Sequence, residues 1–510
     1  MAGDFDQGPV VEFLSHGAAY GRPQEAVRQI DTHASIVFLA GDRAYKLKRA
    51  VRFSYLDYST VEKREAMCRA ELALNRRTAP GLYLGICAVT RAPDGALALD
   101  GTGQAVEWLV VMQRFPQDDL FDRLAERHAL TMPLMVALAD EIAAFHARAE
   151  PCGDHDFDER TRAIVSESLD NLRRTGEALD QSKIADLAAR TRVVLDRLAP
   201  TLKGRRPRRC HGDLHLRNIC LIGGKPVLFD GIEFNDAFTC TDPLYDLAFL
   251  LMDLNHRALD DRGNAIFNRY LDRVAEPNPL LLVPLYLSVR AGVRAHVSIA
   301  ALQRQGDERD RRVLAQSAAR YLDAAIAFLE PAAPRLIAVG GRSGSGKSAI
   351  ARALAPGFAP VPGARVLRSD VTRKLQHGVA PETRLPKSAY DEAGNERVYR
   401  ALCDGAVDAL RAGYCAIVDA AFLRPAERTA VAAAAAAAGA AFTGLWLEAP
   451  PDTLEQRIAQ RQDDASDADL EVLRFQLALD PGPIGWTTLA ADGPLDAVTG
   501  RARRAIERNP

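Results

Sequence analysis

The motif that most limits how this chain can fold is the glycine-rich segment GRSGSGKS at Gly341–Ser348. It fits the P-loop pattern in full, since it follows the apolar run RLIAVGG and opens the helical run SAIARAL. In such a strand–loop–helix unit the backbone amides hold phosphates, Lys347 reaches the terminal ones, and Ser348 binds magnesium. The motif therefore predicts a nucleotide site formed by Gly341, Ser343, Gly344, Ser345, Gly346, Lys347 and Ser348.

Strands and helices alternate around this motif. The segment EPAAPRL, Glu330–Leu336, contains two prolines after a long helical pattern, so it predicts two domains, 1–330 and 331–510. Beyond it, helical runs separate the strand-like runs RLIAVGG, ARVLRSD, CAIVDAAF and FTGLWLEAP. This alternation predicts an α/β P-loop NTPase domain with a mostly parallel sheet. The alanine-rich stretch Ala430–Ala441 is interpreted as one of its helices.

Residues after the P-loop indicate the kind of P-loop protein. Asp370 follows a predicted strand in RSDVTRK, and Arg373 lies on the same run. The pair resembles that of polynucleotide kinases and zeta-toxin-like small kinases, which implies that Asp370 takes the acceptor's proton and Arg373 binds an acceptor group. Asp419 ends the apolar strand CAIVDA and is expected to be the Walker-B-like carboxylate near the metal. In EQRIAQR, Arg457 and Arg461 resemble the lid arginines that stabilise charge on a transferring phosphate; for Arg461 a surface ion pair is the alternative.

A second motif, HGDLHLRN at His211–Asn218, precedes the P-loop and is followed by LFDGIEF. Kinase-type phosphoryl transfer needs a carboxylate that accepts the hydroxyl proton and oxygen ligands for magnesium. Asp213 and Asn218 are separated by the interval found in the protein-kinase catalytic loop. The pattern therefore predicts Asp213 as the base and Asn218 as a metal ligand. Asp230, at the end of the apolar strand KPVLFD, is the expected second metal ligand.

The segment before this motif predicts a small β lobe that carries a phosphate-binding lysine. SIVFLA and AYKLK flank Gly41-Asp42, a hairpin signal, and Lys46 lies on the second strand. On the helical run that follows, Glu71 is expected to pair with Lys46, and Glu65 is the competing choice. No GxGxxG loop precedes Lys46, so we expect backbone amides and a serine to cover the phosphates, from the residues Asp31, Thr32, His33 and Ser35.

The strand EWLVVMQRF leads from this lobe into long helical patterns, and this order indicates a protein-kinase-like α+β fold with a large helical lobe. The first 330 residues resemble the aminoglycoside phosphotransferase family through HGDLHLRN, LFDGIEF and YDLAF at Tyr245–Phe249. The resemblance implies ATP and Mg²⁺ but leaves the acceptor open. Arg290 and Arg294 would repel a polycation if they faced the pocket, and Asp246 either faces it or holds the catalytic loop. The other acidic residues near the motif are Asp236, Asp242 and Asp253.

Composition narrows the class of protein. Hydrophobic residues make up 48 % and charged residues 26 %, as in soluble globular proteins, and a net charge of −2 gives no electrostatic case for nucleic acid or anionic membranes. The eight cysteines form no CxxC pair, so we expect reduced, buried thiols. MAGDFDQGPV lacks a secretory signal, and the apolar run LLLVPLYLSV is shorter than the roughly 20 residues of a membrane helix, which favours the cytoplasm. A basic run is interpreted as a solvated loop or as help with phosphate charge: Arg205, Arg206, Arg208 and Arg209.

The whole chain resembles bacterial proteins that fuse an aminoglycoside-phosphotransferase-like domain to a P-loop kinase-like ATPase domain. We therefore expect a bifunctional phosphotransferase that uses ATP and Mg²⁺ at two sites to phosphorylate hydroxyls of small molecules. One alternative is an ATP sensor with one non-catalytic domain, against which Asp213 and Asp370 argue, because a sensor needs no base. The other is polynucleotide-kinase-like activity in the C-terminal half, against which the mixed charge beyond Arg335 argues.

Overall fold

A computed structural model of the chain describes residues 6–32, 34–53, 56–153, 157–274, 279–302, 307–460 and 465–508. The chain forms two compact units, and each unit contains two separate stretches of sequence. The first unit comprises Met1–Phe157 with Lys203–Leu250, and the second comprises Asp158–Leu202 with Leu251–Pro510. Helices that precede residue 330 thus belong to the same compact unit as the C-terminal sheet. The domains 1–330 and 331–510, which follow sequence pattern and not compactness, stay a prediction.

The secondary structure is described in chain order. The strands are β1 Arg28–Asp31, β2 Ser35–Ala40, β3 Arg43–Lys48, β4 Arg52–Phe53, β5 Leu56–Asp57, β6 Tyr83–Arg91, β7 Leu97–Leu99, β8 Gln104–Gln113, β9 Arg208–Arg209, β10 Ile219–Ile222, β11 Lys225–Leu228, β12 Cys240–Thr241, β13 Arg335–Gly341, β14 Arg365–Arg368, β15 Ala416–Asp419, β16 Ala441–Glu448 and β17 Thr487–Ala490. The α-helices are α1 Gly8–Leu14, α2 Val61–Asn75, α3 Phe121–Glu126, α4 Met132–Arg148, α5 Phe157–Arg173, α6 Gln181–Lys203, α7 Asp236–Thr239, α8 Pro243–His256, α9 Asp260–Arg273, α10 Val283–Leu302, α11 Glu308–Ala327, α12 Lys347–Leu354, α13 Ser369–Gln376, α14 Glu392–Arg411, α15 Pro425–Ala437, α16 Pro451–Ala459, α17 Leu470–Ala478 and α18 Leu495–Glu507.

The first unit contains an antiparallel sheet in the order β1-β2-β3-β8-β6-β7. The predicted hairpin at Gly41-Asp42 is confirmed, since β2 pairs with β3 from Ser35 opposite Lys48 to Ala40 opposite Arg43. Gly41 has a φ of +58°, a conformation that glycine adopts without strain. One sheet face packs with α1 around Phe38, and the other packs with α2 around Val110. This small β lobe carries Lys46.

The second unit contains a parallel sheet in the order β14-β15-β13-β16-β17. Neighbouring strand residues point to opposite faces, and both Ile337 and Ala338 of β13 are fully buried, so the sheet is covered on both sides. Helices α12 and α18 supply Ile350 and Ala502 to the core on one face. The predicted P-loop fold is therefore confirmed, and the chain has the two predicted architectures: a kinase-like α+β fold and a P-loop domain.

Several local predictions need adjustment. Asp370 follows β14 as predicted, but the strand-like run ARVLRSD extends too far: β14 ends at Arg368, and α13 begins at Ser369, so Asp370 lies in the first turn of this helix. The alanine-rich helix α15 ends at Ala437, before β16 begins at Ala441. The edge strand β17 was not predicted, because Leu489 is its one buried residue and gives no apolar run.

The expectation of reduced thiols is wrong for Cys152 and Cys240, which form a disulfide with a Cα–Cα distance of 5.8 Å. The backbone brings them together: Cys152 N–H donates to Pro207 O, and Cys240 pairs with Arg209 across β9 and β12. A sequence separation of 88 hides this proximity from local pattern. The other six cysteines form no disulfide within the described residues, and all but Cys403 are buried.

Among the described residues, one helical segment, Leu280–Leu302, is long and apolar enough to cross a membrane by length and composition, with a mean hydropathy of 1.3 over an 18-residue window. It is longer than the run recognised in the sequence because the helix continues through Arg290 and Arg294. However, 67 % of this window is buried inside the protein, as in the core helix of a soluble protein.

Candidate active sites

Lys46 of β3 lies at the centre of the ionic contacts in the small β lobe. Its Nζ is 2.9 Å from Glu71 Oε1 and 2.5 Å from Asp230 Oδ1. The competing choice, Glu65, instead pairs with Arg69 at 2.8 Å. Burial lowers the pKa of Lys46, but the carboxylates of Asp230 and Glu71 outweigh burial and raise it well above its usual value. Lys46 is therefore a permanently charged group, fixed by two carboxylates.

A second lysine, Lys48, extends this cluster and was not recognised in the sequence. Its Nζ is 2.7 Å from Glu71 Oε2 and also contacts Glu233, whose carboxylate accepts from Tyr58 Oη at 2.6 Å. The signal was present, since alternation along β3 puts Lys46 and Lys48 on one side of the strand. Lys48 is 1 % exposed and Lys46 14 %, so Lys46 is the more accessible of the two.

Asp246 of α8 holds the backbone of the HGDLHLRN loop. Its carboxylate accepts from His211 N–H at 3.0 Å and Gly212 N–H at 2.8 Å, and lies 3.1 Å from His146 Nε2. Gly212 has a φ of +85°, and a Cβ there would lie 3.1 Å from Phe238 O. Of the two interpretations of Asp246, the structure thus favours the one in which it supports the loop.

The predicted base and metal ligands lie along this loop and the hairpin after it. Asn218 Nδ2 donates to Asp213 Oδ2 at 2.9 Å, and His215 Nε2 is 3.3 Å from the same oxygen. The β10-β11 hairpin leads to Asp230, which has a φ of +59° and donates its N–H to Tyr83 Oη. The Asp213 side chain is 35 % exposed and that of Asp230 41 %, so both carboxylates are accessible.

Three other residues singled out around this site, Asp242, Asp253 and Ser35, have partners within the protein. Asp242 pairs with Arg205 at 2.6 Å, and Asp253 pairs with Arg257 at 3.1 Å. Ser35 is 5 % exposed, and its backbone N–H donates to Thr32 Oγ1 at 2.9 Å. His33 and the side chain of Asp236 lie outside the described residues.

The P-loop lies between β13 and α12 and depends on glycine geometry. Gly341, Gly344 and Gly346 have φ values of +139°, +81° and +90°. A Cβ on Gly341 would lie 2.5 Å from Leu447 O, and one on Gly344 would lie 2.6 Å from Leu454 O, so side chains are excluded from both positions. Ser343 N–H donates to Gln476 Oε1 of α17 at 2.8 Å, a contact that no sequence motif indicated.

Ser348 and Asp419 meet at the foot of this loop. Ser348 Oγ donates to Asp419 Oδ2 at 2.5 Å, which links the start of α12 to the end of β15. Arg368, which was also missed, contacts both: its Nη2 lies 3.1 Å from Ser348 Oγ and its Nε 3.3 Å from Asp419 Oδ2. Lys347 Nζ lies 3.0 Å from Arg342 O, over the loop.

Ionisation of the Asp370 carboxyl is disfavoured in the folded protein. Burial raises the pKa of its carboxyl above the usual value, Asp419 adds to the rise, and Arg368 opposes it. The Asp370 carboxylate also hydrogen-bonds Ser466, on the segment after α16. A carboxylate with a raised pKa is a stronger base, as acceptor activation requires.

The predicted arginines differ in what they contact. Arg373 is 5 % exposed, its terminal nitrogens donate to Ala389 O and Asn395 Oδ1, and its guanidinium lies over the Tyr390 ring. Arg457 Nη1 lies 3.4 Å from Gly344 O, so α16 brings it to the P-loop. Arg461 lies outside the described residues.

Both sites have the donors that a magnesium nucleotide needs. At the P-loop, Ser345 Oγ is buried without a hydrogen-bond partner among the described residues, and glycine geometry turns the backbone around it. Ser348 and Asp419 offer oxygen ligands, the type that Mg²⁺ prefers. At the other site Lys46 offers a cation for phosphate, and the oxygens of Asn218 and Asp230 are of the same type.

Comparison with known proteins supports the fold of both halves of the chain. A model of the phosphotransferase enzyme family matches residues 63–281, and a model of an AAA domain matches residues 336–480. The chain is thus a fusion of an aminoglycoside-phosphotransferase-like domain with a P-loop kinase-like domain, and these domains indicate phosphotransferase activity of the kinase type.

The family is shown by a full-length relative. An uncharacterized protein of Mycobacterium tuberculosis (strain ATCC 25618 / H37Rv) is 30 % identical over 490 residues, which cover 92 % of this chain and 94 % of that protein. The chain belongs to the same family as this mycobacterial protein.

Solved structures match one half each. A choline/ethanolamine kinase family protein from Mesorhizobium loti is 14 % identical and covers 60 % of this chain and 92 % of its own, with a TM-score of 0.37. A gluconokinase from Sinorhizobium meliloti 1021 is 21 % identical and covers 35 % and 97 %, with a TM-score of 0.26.

Proposed function

We propose that the protein is a cytoplasmic ATP-dependent phosphotransferase with two nucleotide sites, one in residues 1–330 and one in 331–510. Each site transfers the γ-phosphate of ATP to a hydroxyl group of a small-molecule acceptor. The observation that carries the proposal is the ion-pair cluster in which Lys46 contacts Glu71 and Asp230, because this arrangement fixes a phosphate-binding cation beside a metal-binding carboxylate.

At the first site, each residue has a role that its contacts support. Lys46 binds phosphate oxygens, and its ion pair with Glu71 orients the Lys46 side chain. Asn218 and Asp230 hold Mg²⁺, which neutralises charge on the phosphates when bound. Asp213 accepts the proton of the acceptor hydroxyl, with its carboxylate oriented by Asn218 Nδ2.

At the second site the P-loop amides and Lys347 bind the phosphates, and Ser348 and Asp419 hold Mg²⁺. Asp370 is the base, and its raised pKa suits that task. Arg373 orients the acceptor side through its contacts with Ala389 and Asn395. Arg457 and Arg461 stabilise charge on the transferring phosphate; the contact of Arg457 with Gly344 O supports its part in this role.

The acceptors are proposed to be small molecules and not nucleic acid. The net charge of −2 offers no general attraction for a polyanion. Carboxylates in base positions at both sites favour transfer to a hydroxyl over mere sensing of ATP. The two proposed bases, Asp213 and Asp370, are therefore the residues on which the test depends.

A screen of small-molecule acceptors with γ-labelled ATP tests the proposal in the full chain. Asp213→Asn should keep ATP affinity and lower transfer by the first site about 10²- to 10⁴-fold, since general-base help has that size. Asp230→Asn should also weaken magnesium-dependent ATP binding by calorimetry. Lys347→Ala should abolish turnover by the P-loop site alone. Equal loss of ATP affinity in Asp213→Asn and Asp230→Asn would contradict the assigned roles.

A further inference from the structure

The edge strand of the P-loop sheet is closed by a side chain of α9. β14 is the last strand in the sheet order, so its outer side pairs with no strand in the part of the chain that the structure describes. Asn268 of α9 donates from Nδ2 to Ala364 O at 3.1 Å and accepts from Val366 N–H at 2.7 Å. A residue of a neighbouring parallel strand would bond to the same two backbone groups. The Asn268 side-chain amide therefore makes the two hydrogen bonds that one residue of a neighbouring strand would make.

Residues one helical turn away on α9 add to this contact. Asn264, which is 4 % exposed, donates to Pro362 O at 3.0 Å and Ala364 O at 3.1 Å. Asp272 Oδ1 accepts from Arg365 Nη2 at 2.6 Å. The residues recur every four positions and so lie on one face of the helix. We call Asn264, Asn268 and Asp272 the α9 stripe.

The same helix also contacts the chain on the far side of α13. Arg269 of α9 lies 2.9 Å from Glu382, which follows α13 in the sequence. β14 runs directly into α13, and Asp370 lies in the first turn of that helix. Helix α9 thus contacts the chain both before and after the helix that carries the proposed base.

Arg368 connects the strand to the metal side of the site. It is the last residue of β14, and it bonds both Ser348 Oγ and Asp419 Oδ2. A shift of β14 would therefore displace Arg368 and Asp370 together, whereas Lys347 is carried by α12 and would stay in place.

We infer that the α9 stripe positions the acceptor side of the P-loop site, with Asn268 as the main positioning residue. The inference rests on the function proposed for that site. Helix α9 belongs to the stretch matched by the phosphotransferase family, and β14 to the stretch matched by the AAA domain. A helix of the first match therefore sets the geometry of the base in the second, and the P-loop site is complete only with α9 in place.

The test uses the full chain in an Asp213→Asn background, so that the remaining turnover reports the P-loop site. Asn268→Leu keeps a similar size and removes the side-chain hydrogen bonds with Ala364 O, Arg365 Nη1 and Val366 N–H. We expect kcat for ATP turnover at the P-loop site to fall about 10- to 100-fold, because misplacing a catalytic group by roughly 1 Å lowers the rate up to about 10²-fold. The dissociation constant for ATP should stay unchanged. Asn268→Asp, which keeps the acceptor for Val366 N–H, should lose less. Asn171→Leu is the matched control, since Asn171 lies on α5 and its side-chain oxygen accepts from Arg174, just after that helix.

Hydrogen–deuterium exchange gives a readout that does not depend on activity. In Asn268→Leu, amide exchange should become faster across residues 364–376 and stay unchanged in the P-loop, 341–348. If exchange becomes faster at 364–366 only, or if kcat equals that of Asn171→Leu, α9 merely covers a sheet edge and the inference is wrong. A protein that binds ATP nowhere in 331–510 would instead overturn the proposed function, and the exchange pattern would still decide the role of α9.

Discussion

Lys46 and Lys48 divide the carboxylate of Glu71 between them, one at each oxygen. Lys46 continues to Asp230 and Lys48 continues to Glu233, so two parallel ion pairs join β3 to the segment after β11. Because Lys48 is almost fully buried, it fixes Glu71 and has no access to a ligand. Lys46 is the more accessible of the two, which suits the phosphate-binding role that we propose for it.

The two lysines should therefore respond differently to substitution. Lys48→Met leaves buried Glu71 and Glu233 short of a cation, so we expect a loss of about 3–5 kcal/mol in the free energy of unfolding, measured by chemical denaturation. Lys46→Met should chiefly weaken ATP binding in calorimetry. Lys63→Met, which breaks the half-exposed pair with Asp57, is the control and should change stability by less than about 1 kcal/mol. A stable Lys48→Met variant with weakened ATP binding would reverse the two roles.

We expect Asp370 to give the activity of the P-loop site a pH dependence. Burial raises the pKa of its carboxyl, and the proposed base works only when it is deprotonated. Turnover should fall as the pH decreases through this raised pKa, at a higher pH than an ordinary aspartate would require. The pH profile of kcat in an Asp213→Asn background checks this, and Asp370→Asn should lose the acidic limb with most of the activity. An acidic limb that persists in Asp370→Asn would belong to another group.

The same pKa shift affects stability in the opposite sense to a paired carboxylate. The folded state binds the proton of Asp370 more tightly than the unfolded chain does. Its favourable contribution is thus complete below the usual pKa of aspartate and is lost as the pH rises through the raised value. Near neutral pH the charged Asp370 therefore destabilises the fold, as expected of the base that we propose for this site.

At the scale of secondary-structure elements, short sequence patterns were sufficient to predict features that depend on neighbouring residues alone. RLIAVGG coincides with β13, and the Gly41-Asp42 hairpin forms as predicted. Partners distant in sequence could not be found in this way: the contact of Asp246 with His211 and the Cys152–Cys240 disulfide depend on chain paths that no short pattern encodes.

For the same reason, the sequence could not decide which glutamate of α2 pairs with Lys46. Glu65 and Glu71 lie on one helix, and the sequence favoured Glu71 without excluding Glu65. The structure distinguishes them because Glu71 faces β3 and is fully buried, whereas Glu65 faces Arg69 at the surface. Arg368 and Gln476 belong to no motif, so their contacts with the P-loop site needed the folded chain.

The P-loop turn requires glycine at a position where both φ and space exclude other residues. Gly341→Ala would put a Cβ 2.5 Å from Leu447 O at a φ of +139°, so we expect loss of ATP binding to the P-loop site in calorimetry. Gly439→Ala is a matched control: Gly439 also has a positive φ, +66°, but a Cβ there meets nothing within 4 Å. It should cost about 1 kcal/mol or slightly more in stability and leave ATP binding intact. Normal ATP binding by Gly341→Ala would show that the turn tolerates rearrangement.

At the scale of the whole molecule, sequence and compactness divide the chain differently. Sequence pattern places a boundary at the prolines after Glu330, and the P-loop strand begins there. Compactness groups α9, α10 and α11 with the P-loop sheet. The two divisions differ because α9, which precedes the prolines in the sequence, is hydrogen-bonded through Asn264 and Asn268 to the chain at β14, which follows them.

A fragment that begins at the predicted boundary tests whether residues 331–510 are stable as a separate domain. Residues 331–510 alone would lack α9 and expose the outer edge of β14, whose unpaired groups favour pairing with another chain. We expect this fragment to self-associate with rising concentration in size-exclusion chromatography with light scattering. Val366→Pro should suppress that association, because its N–H faces α9 in the full chain and a proline at an edge removes the donor. If the fragment stays monomeric at every concentration and turns over ATP as the full chain does, the boundary at residue 330 separates an autonomous domain, and β14 needs no helix beside it.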